Sequence, residues 1–525
     1  MYKITKKLED KLMNQNKVNR TKKIKPNGLV VLSLFDGMSC GHLALDNARI
    51  PINAYIASEV KPFAIEHTNA RYDKTIVAGD VTRLHYENNK LYKNCSRWCV
   101  VNDIDVLSKE DKEKNINLIK QIGSHTVIDI VNCVFDNNFD KNNIKLANYK
   151  EDGLLVVASN LTNEELEVYK NEGFIDLPNQ EIAKWETKEN PIFEGSIDML
   201  IGGSPCQDFS AANAPNGRKY GLEGPKSRLF FDYLRLKQEV NPDYFFLENV
   251  RMKKNSEETL NTYMGVNGVH INSSLITIQQ RDRIYWTNIN DGIFEQPKLR
   301  KGTSANLQDY KLMTLPHIEN LLYIKKYPMC FDLFTKDVQN NLEKYIIRNN
   351  NGEIVGFNDS ISDTDVSQIC AIESNKWARK ELEDVRKANK KKYPNEKKYK
   401  HPLTDREFVE QLHEIISESL VKKTPSRDKM WNEGNSAQFA CKNITNIEKM
   451  SCLTRKQDRF PNSGLISFGP YCRFVNRLEI CKGQTVPYEF LNDLSYAQIQ
   501  DVCGDGWTVN IISYIFKHLK KNYEF

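Results

Sequence analysis

The sequence predicts an α/β protein built on a doubly wound, mostly parallel sheet, and three observations carry that expectation. GLVVLSLFDGMSCGHLALDNARI (28–50) passes from an apolar run, Leu29 to Phe35, through glycines at 37 and 41 into a helical pattern with Leu43, Leu45 and Ala48. A continuous β-rich run of this kind is what a strand covered on both faces requires. AYIASEV (54–60) and TIVAGDV (75–81) follow as strands that end in acids, Glu59 and Asp80. IDMLIGG (197–203) and DYFFLENV (243–250) then resume the same rhythm after a long interval. Strand, glycine turn, helix and a further strand with a terminal acid make the βαβ pattern of an open sheet.

The elements divide the 525 residues into segments. Residues 1–27 form a Lys/Arg-biased arm with no apolar stretch resembling a secretory signal. Residues 28–95 are the first part of the sheet domain. From 96 to 189 the composition turns rich in Asn, Asp and Lys, yet it holds strand-like pieces, TVIDIVNCVF and GLLVVAS. It also holds helix-like ones, SKEDKEKNINLIKQI and TNEELEVYKNE, so it reads as an inserted subdomain rather than a loop. Residues 190–295 return to the sheet, with SRLFFDYLRLKQEV (227–240) as a helix and SSLITIQQRDRIYWTNI (273–289) as a strand pair around an Arg-rich turn. From 296 to 468 the α/β rhythm fades; TDREFVEQLHEIISESLV is a helix there, and the stretch reads as a separate domain. Residues 469–525 end in GDGWTVNIISYIFKHLKK, a glycine turn and amphipathic helix that could pack back on the sheet domain.

Charge and cysteines narrow the class. A net charge of +5, from 74 basic and 69 acidic residues, is compatible with a nucleic-acid partner without requiring one. The basic charge is clustered, in the arm and in RKANKKKYPNEKKYKH (386–401), where a solvated face and a phosphate-contacting patch are the two readings. The 12 cysteines include no CxxC pair, and Cys95 and Cys99 have only His125 and Cys133 as distant partners. No metal site is expected, and a reduced intracellular compartment fits best. No run reaches the length of a membrane span.

Chemistry concentrates at the ends of the strands, where open α/β sheets bind ligands. A glycine turn between the first strand and helix lets a nucleotide-like ligand approach backbone N–H groups. Glu59, roughly 20 residues beyond Gly41, is placed to meet ribose hydroxyls. FDGMSCG is not GxGxxG, which weakens a dinucleotide and leaves room for adenosine without pyrophosphate. In DMLIGGSPCQDFS (198–210) a short apolar strand breaks at Gly202 and Gly203, so the following Cys206 turns out of the core. Pro205 stiffens its approach. A thiolate nucleophile is then the better reading than a buried structural cysteine. Glu248, ending the next strand beside an apolar run, needs a partner. Arg281 and Arg283, two apart in QQRDR, would form one fork if the chain is extended.

With FDGMSCG (35–41), SEV (58–60), GDV (79–81), GGSPCQDFS (202–210), SRLFF (227–231), ENV (248–250), QQRDR (279–283) and GDGW (504–507) in order, the chain resembles the cytosine-C5 DNA methyltransferases. LSLFDG, IASEV and YWTNI are most similar to the de novo-type branch and related phage or bacterial enzymes. Most of the family has Asp where Ser33 stands and a small residue where Asp36 stands; that branch shares this chain's version. The family usually has Asn where Asp505 stands, and RFVNRLEICKGQ (473–484) keeps only Arg473, Glu479 and Gln484 of the preceding motif.

The resemblance implies a Rossmann-like S-adenosylmethionine-dependent methyltransferase domain with a separate target-recognition domain at 296–468. It implies S-adenosyl-L-methionine held by Phe35, Asp36, Gly37, Ser39, Gly41, Glu59, Val60, Asp80, Val81, Pro205, Asp505 and Trp507. It also implies that Cys206 attacks cytosine C6, Glu248 hydrogen-bonds N3 with a raised pKa, and Arg281 and Arg283 hold O2. The substrate it implies is a cytosine flipped out of duplex DNA, with QDFSAANAPNGRKYGLEGPKSR (207–228) as a loop closing over it. Cys40, inside the cofactor turn, is a weaker rival nucleophile. An RNA cytosine-C5 methyltransferase and a catalytically silent DNA-binding protein are the alternatives. A cognate restriction endonuclease is a partner only if the chain serves restriction–modification rather than phage self-protection. The resemblance leaves oligomeric state open.

Overall fold

A computed structural model describes residues 23–101, 144–149, 153–158, 175–176, 181–187, 189–205, 229–312, 336–358, 369, 371–422, 424–425, 442–455, 462–468 and 471–524. The expected strand 126–135, the helices 108–122 and 162–172, and the loop 207–228 with Cys206 lie outside these residues. The chain divides into two compact units. One is built from residues up to Ile271, with Arg283–Phe294 and Ile515 onward; the other from Asn272–Asp282 and Glu295–Tyr514. The turn before the C-terminal helix, expected with the sheet domain, therefore belongs to the second unit.

The first unit holds a seven-stranded sheet. Its strands are β1 Leu29–Leu34, β2 Ile52–Ser58, β3 Ile76–Val77, β4 Met199–Gly202, β5 Tyr244–Val250, β6 Val269–Asn272 and β7 Asp282–Thr287. The order across the sheet is β6-β7-β5-β4-β1-β2-β3. β5, β4, β1, β2 and β3 are parallel, and β7 is antiparallel to β5. All six residues of β1 are buried, Ser33 included, as its mostly apolar sequence favours. The helices α1 Cys40–Ala48, α2 Pro62–Arg71, α3 Leu229–Val240 and α4 Lys254–Met264 accompany these strands. Phe230, Tyr233, Leu234, Phe245, Leu247 and Trp286 meet in the core beside β4 and β5.

Gly202 is required by packing: a Cβ there would stand 2.9 Å from the Tyr233 ring and 3.2 Å from the Leu34 carbonyl oxygen. Two expectations change in detail. β3 shrinks to two residues because the chain turns at Gly79 (φ +80°) into a short 3-10 turn, Val81–Arg83. The strand pair expected within 273–289 is instead β6 ahead of it and β7, with a 3-10 turn at Ser273–Leu275.

Among the described residues the insertion forms its own sheet of five strands, with Ser96–Val101 paired to Gly153–Ala158 and to Glu181–Glu186. Trp185 ties it to α3. The Arg235 guanidinium lies 4.5 Å from the centre of the Trp185 ring, and His85 stacks on that ring at 5.0 Å. Arg235 is buried and donates to the carbonyls of Leu84 (2.9 Å) and Val81 (3.1 Å) and to Glu239 (2.8 Å). At the opposite end of the sheet from the strand termini, Lys23–Ile24 pairs in parallel with Tyr523–Glu524. No helix among the described residues is long and apolar enough to cross a membrane.

Lys237 on α3 is buried with its ammonium 4.3 Å from the Phe245 ring centre. Burial lowers its pKa from 10.5 to about 8. A folded-state pKa below the unfolded one means stability that is complete above 10.5 and is lost as pH falls through about 8. Lys237→Met is therefore expected to stabilise the first unit at neutral pH by about 2–3 kcal/mol. Denaturant midpoints across that pH range check it; a gain that persists unchanged above pH 10.5 rules out charge burial as its source.

Candidate active site

The strand order reverses between β1 and β4, which places a crevice outside their carboxyl ends. Register makes this concrete. Gly202 pairs with Leu34 on one side and Leu247 on the other, and Leu34 pairs with Ser58. The FDGMSCG turn, Glu59 and the Gly203–Pro205 segment therefore leave the sheet at one level, one residue beyond the position that Glu248 follows in β5.

The turn after β1 is held in a left-handed course by Phe35 (φ 58°), Gly37 (φ 59°) and Ser39 (φ 57°). Asp36 explains how two non-glycine residues keep that course. Its carboxylate is buried and points inward, accepting from the Tyr55 hydroxyl at 2.7 Å and from the Ser39 hydroxyl. Ser39 Oγ also lies 2.9 Å from Thr68 Oγ1. Burial raises the Asp36 pKa against the pull of hydrogen bonds from Ser33, Ser39 and Tyr55. Asp36 thus braces the turn from beneath, and Gly41 and Cys40 are buried in the first turn of α1.

The upper side is open. Positions for a Cβ at Gly37 and at Gly79 meet no atom within 4 Å. Glu59 is fixed by three backbone N–H donors: Gly37 to Oε2 at 2.8 Å, and Val60 (2.8 Å) and Lys61 (2.9 Å) to Oε1. Val60 beside it is 64% exposed, an apolar surface at the strand end. Asp80 accepts from the Thr82 amide and hydroxyl at 3.0 and 2.8 Å, and Val81 is buried. An anchored carboxylate, an exposed apolar side chain and two glycines with open space fit the ribose and base of an adenosine.

On the other side of the crevice Glu248 pairs with Arg283, Nε to Oε1 at 2.8 Å, and both are nearly buried. β5 and β7 set this pair: Glu248 faces Tyr285 and Val250 faces Arg283 across the antiparallel ladder. Asn249, the middle residue of ENV, holds the neighbouring strand end. Its side-chain amide donates to the Ser204 carbonyl (3.3 Å) and hydroxyl (3.0 Å), and its oxygen accepts from the Val250 amide (2.7 Å). It braces the segment that leads through Pro205 to Cys206. The sequence signal was an amide beside Glu248 at the end of the apolar run Tyr244–Leu247.

Arg281 precedes β7, within the second unit, and is held there by carbonyl acceptors: Leu453 (3.1 Å), Gly504 (3.3 Å) and Gly506 (2.7 Å). Asp505, also in the second unit, pairs with Arg455 at 3.4 Å, and Trp507 is buried. Gln279 of the same motif donates to the Gly483 carbonyl (2.6 Å) and to Gln484 (3.1 Å). Below them lies a fully buried ion pair. Arg473 donates to both oxygens of Glu479 at 2.7 Å, and Glu479 also accepts from the Leu312 and Asn476 amides at 2.8 and 3.0 Å.

The profile of the C-5 cytosine-specific DNA methylases matches residues 141–521. This chain belongs to that family. The match begins after β3, so the turn at 35–41, Glu59 and Asp80 precede it. The orphan methyltransferase M.Rho11sI of Bacillus phage rho11s is 33% identical over 126 residues, 22% of this chain and 24% of that protein. The type II methyltransferase M.HpaII of Haemophilus parainfluenzae is 28% identical over 187 residues, 32% and 51% of the two chains. The matched part thus spans about half or less of these family members. The S. pombe Dnmt2 methyltransferase structure aligns over 93% of this chain and 97% of its own at 12% identity and a TM-score of 0.37. The fold class stands on the sheet order above, which is the Rossmann-like arrangement with an antiparallel strand between β5 and β6.

Proposed function

We propose that this chain methylates C5 of a cytosine in duplex DNA, using S-adenosyl-L-methionine and a transient bond between Cys206 and C6. The observation that carries the reading is the meeting, at one level of the sheet in a member of this family, of the braced glycine turn, the Ser204–Pro205 approach and the Glu248–Arg283 pair.

Gly37, Glu59, Val60 and Asp80 would hold the adenosine part of the cofactor, which supplies an electrophilic methyl group. Cys206, as thiolate, adds to C6 and pushes electron density towards C5 and N3. Glu248 delivers or shares a proton at N3, so the ring does not accumulate a full negative charge. Arg283 keeps Glu248 in place at 2.8 Å. After C5 has gained the methyl, its proton leaves and the electron pair of that C–H bond restores the C5–C6 double bond as the C6–sulfur bond breaks. Asn249 keeps the start of the Cys206 segment in register with Glu248 through Ser204.

The test is the purified protein with S-adenosylmethionine and a random-sequence duplex library, read by base-resolution sequencing for 5-methylcytosine. The expected result is methylation at one short sequence context. No 5-methylcytosine in duplex DNA, or 5-methylcytosine confined to a parallel RNA library, overturns the reading.

A further inference from the structure

The second unit carries helices α5 Lys376–Lys392 and α6 Asp405–Ser419, and the link between them is a compact basic knuckle. α5 ends at Tyr393, whose amide donates to the Asn389 carbonyl at 2.7 Å, and a 3-10 turn follows at Lys397–Tyr399. The rings of Tyr393 and Tyr399 stack at 6.3 Å. Lys392 lies 5.5 Å from the first ring centre and Lys398 4.8 Å from the second. The two rings brace the turn against each other, and Tyr393 stays 42% exposed.

Charge compensation stops at this end of α5. Towards the body of the unit its side chains are paired: Glu381 with Lys482, Arg379 with Asp405, Arg386 with Glu407. Lys387 pairs with Asp384 at 2.8 Å and Lys398 with Glu396 at 3.0 Å. Lys390, Lys391, Lys392, Lys397 and Lys400 are exposed and have no carboxylate partner among the described residues. The helix dipole accounts for lysines in the last turn of α5. It does not account for Lys397 and Lys400, which lie beyond that helix. Five such ammonium groups at the end of α5 and around the turn after it repel one another, and a row of phosphates relieves that repulsion.

We propose that this lysine–tyrosine knuckle, residues 386–401, is a sequence-independent contact surface for the phosphate backbone of duplex DNA. The proposal rests on duplex DNA being the substrate and adds where the protein grips its backbone. Because its charged groups are lysine ammoniums that meet phosphates, the knuckle contributes affinity and orientation, not base choice.

The experiment measures duplex binding across a salt titration, on several unrelated sequences, for three proteins besides the full wild-type chain. These are Lys390→Glu/Lys391→Glu/Lys392→Glu, the milder Lys397→Gln/Lys400→Gln, and Lys520→Glu as a charge-reversal control on the 3-10 turn Lys517–Lys521. The knuckle variants are expected to bind about tenfold or more weakly at low salt, equally on every sequence. Their plots of log affinity against log salt should flatten by about 1 for each lysine that met a phosphate. The control should keep the wild-type slope. Unchanged slopes in both knuckle variants overturn the proposal, and so does a loss seen only on RNA or on anionic lipid vesicles. If the wild type methylates duplex DNA while the slopes do not move, only the knuckle is wrong; if it makes no 5-methylcytosine in duplexes, the functional reading itself fails.

Discussion

Cys206→Ala abolishes methyl transfer to DNA while S-adenosylmethionine still binds; this is the expected result with the largest effect on activity. Nucleophilic addition supplies the only route by which C5 becomes electron-rich, so its removal leaves no slower version of the same path. Gly37 and Glu59, proposed above to hold the cofactor, are fixed by β1, β2 and their own backbone, independently of the cysteine. A duplex carrying 5-fluorocytosine sharpens the test, because fluorine cannot leave as a proton does and the adduct persists. A protein–DNA species stable to denaturation and mapped to residue 206 is expected from the wild type and absent from Cys206→Ala. Wild-type rates in the alanine variant, or a trap mapped to Cys40 instead, would sink the mechanism.

Glu479→Ala should have the largest effect on stability. It strands the Arg473 guanidinium, 0% exposed, and removes the acceptor of the Leu312 and Asn476 amides. Breaking one side of a buried pair costs about 3–5 kcal/mol because a charge remains buried without its partner. Replacing both members with apolar residues of similar size, Arg473→Met with Glu479→Leu, is expected to recover much of that loss. Thermal or denaturant unfolding of the two variants decides it. A single variant within about 1 kcal/mol of the wild type would mean that water reaches Arg473 and that the pair is not the keystone of the second unit.

Much of the sheet was legible because its strands are buried on both faces and so read as mostly apolar runs; Leu29–Leu32 of β1 and Tyr244–Leu247 of β5 show this most plainly. The crevice was legible for a related reason: Gly202 and Gly37 break those runs where the backbone must turn. The partners of the site residues were not. Tyr55 reaches Asp36 across 19 positions and Asn249 reaches Ser204 across 45, distances over which a single sequence carries no pairing signal. The acceptors of Arg281 were equally hidden, since Leu453 and Gly506 lie 172 and 225 positions away. The helix α5 was hidden in a charge run, since lysine is a good helix former and its few buried residues, Ala378 and Leu382, leave a faint stripe.

The route of the chain out of β3 has a consequence for how this protein can vary. β3 is the outermost strand on its side, so the path to the inserted subdomain departs from the rim of the sheet, and the chain re-enters at β4 beside β1. Closing a longer detour costs only about 0.6 kcal/mol for each doubling of its length. Material can therefore be gained, lost or exchanged on that excursion while the two strands that frame the crevice stay neighbours, which makes the rim a natural port for grafting a foreign module.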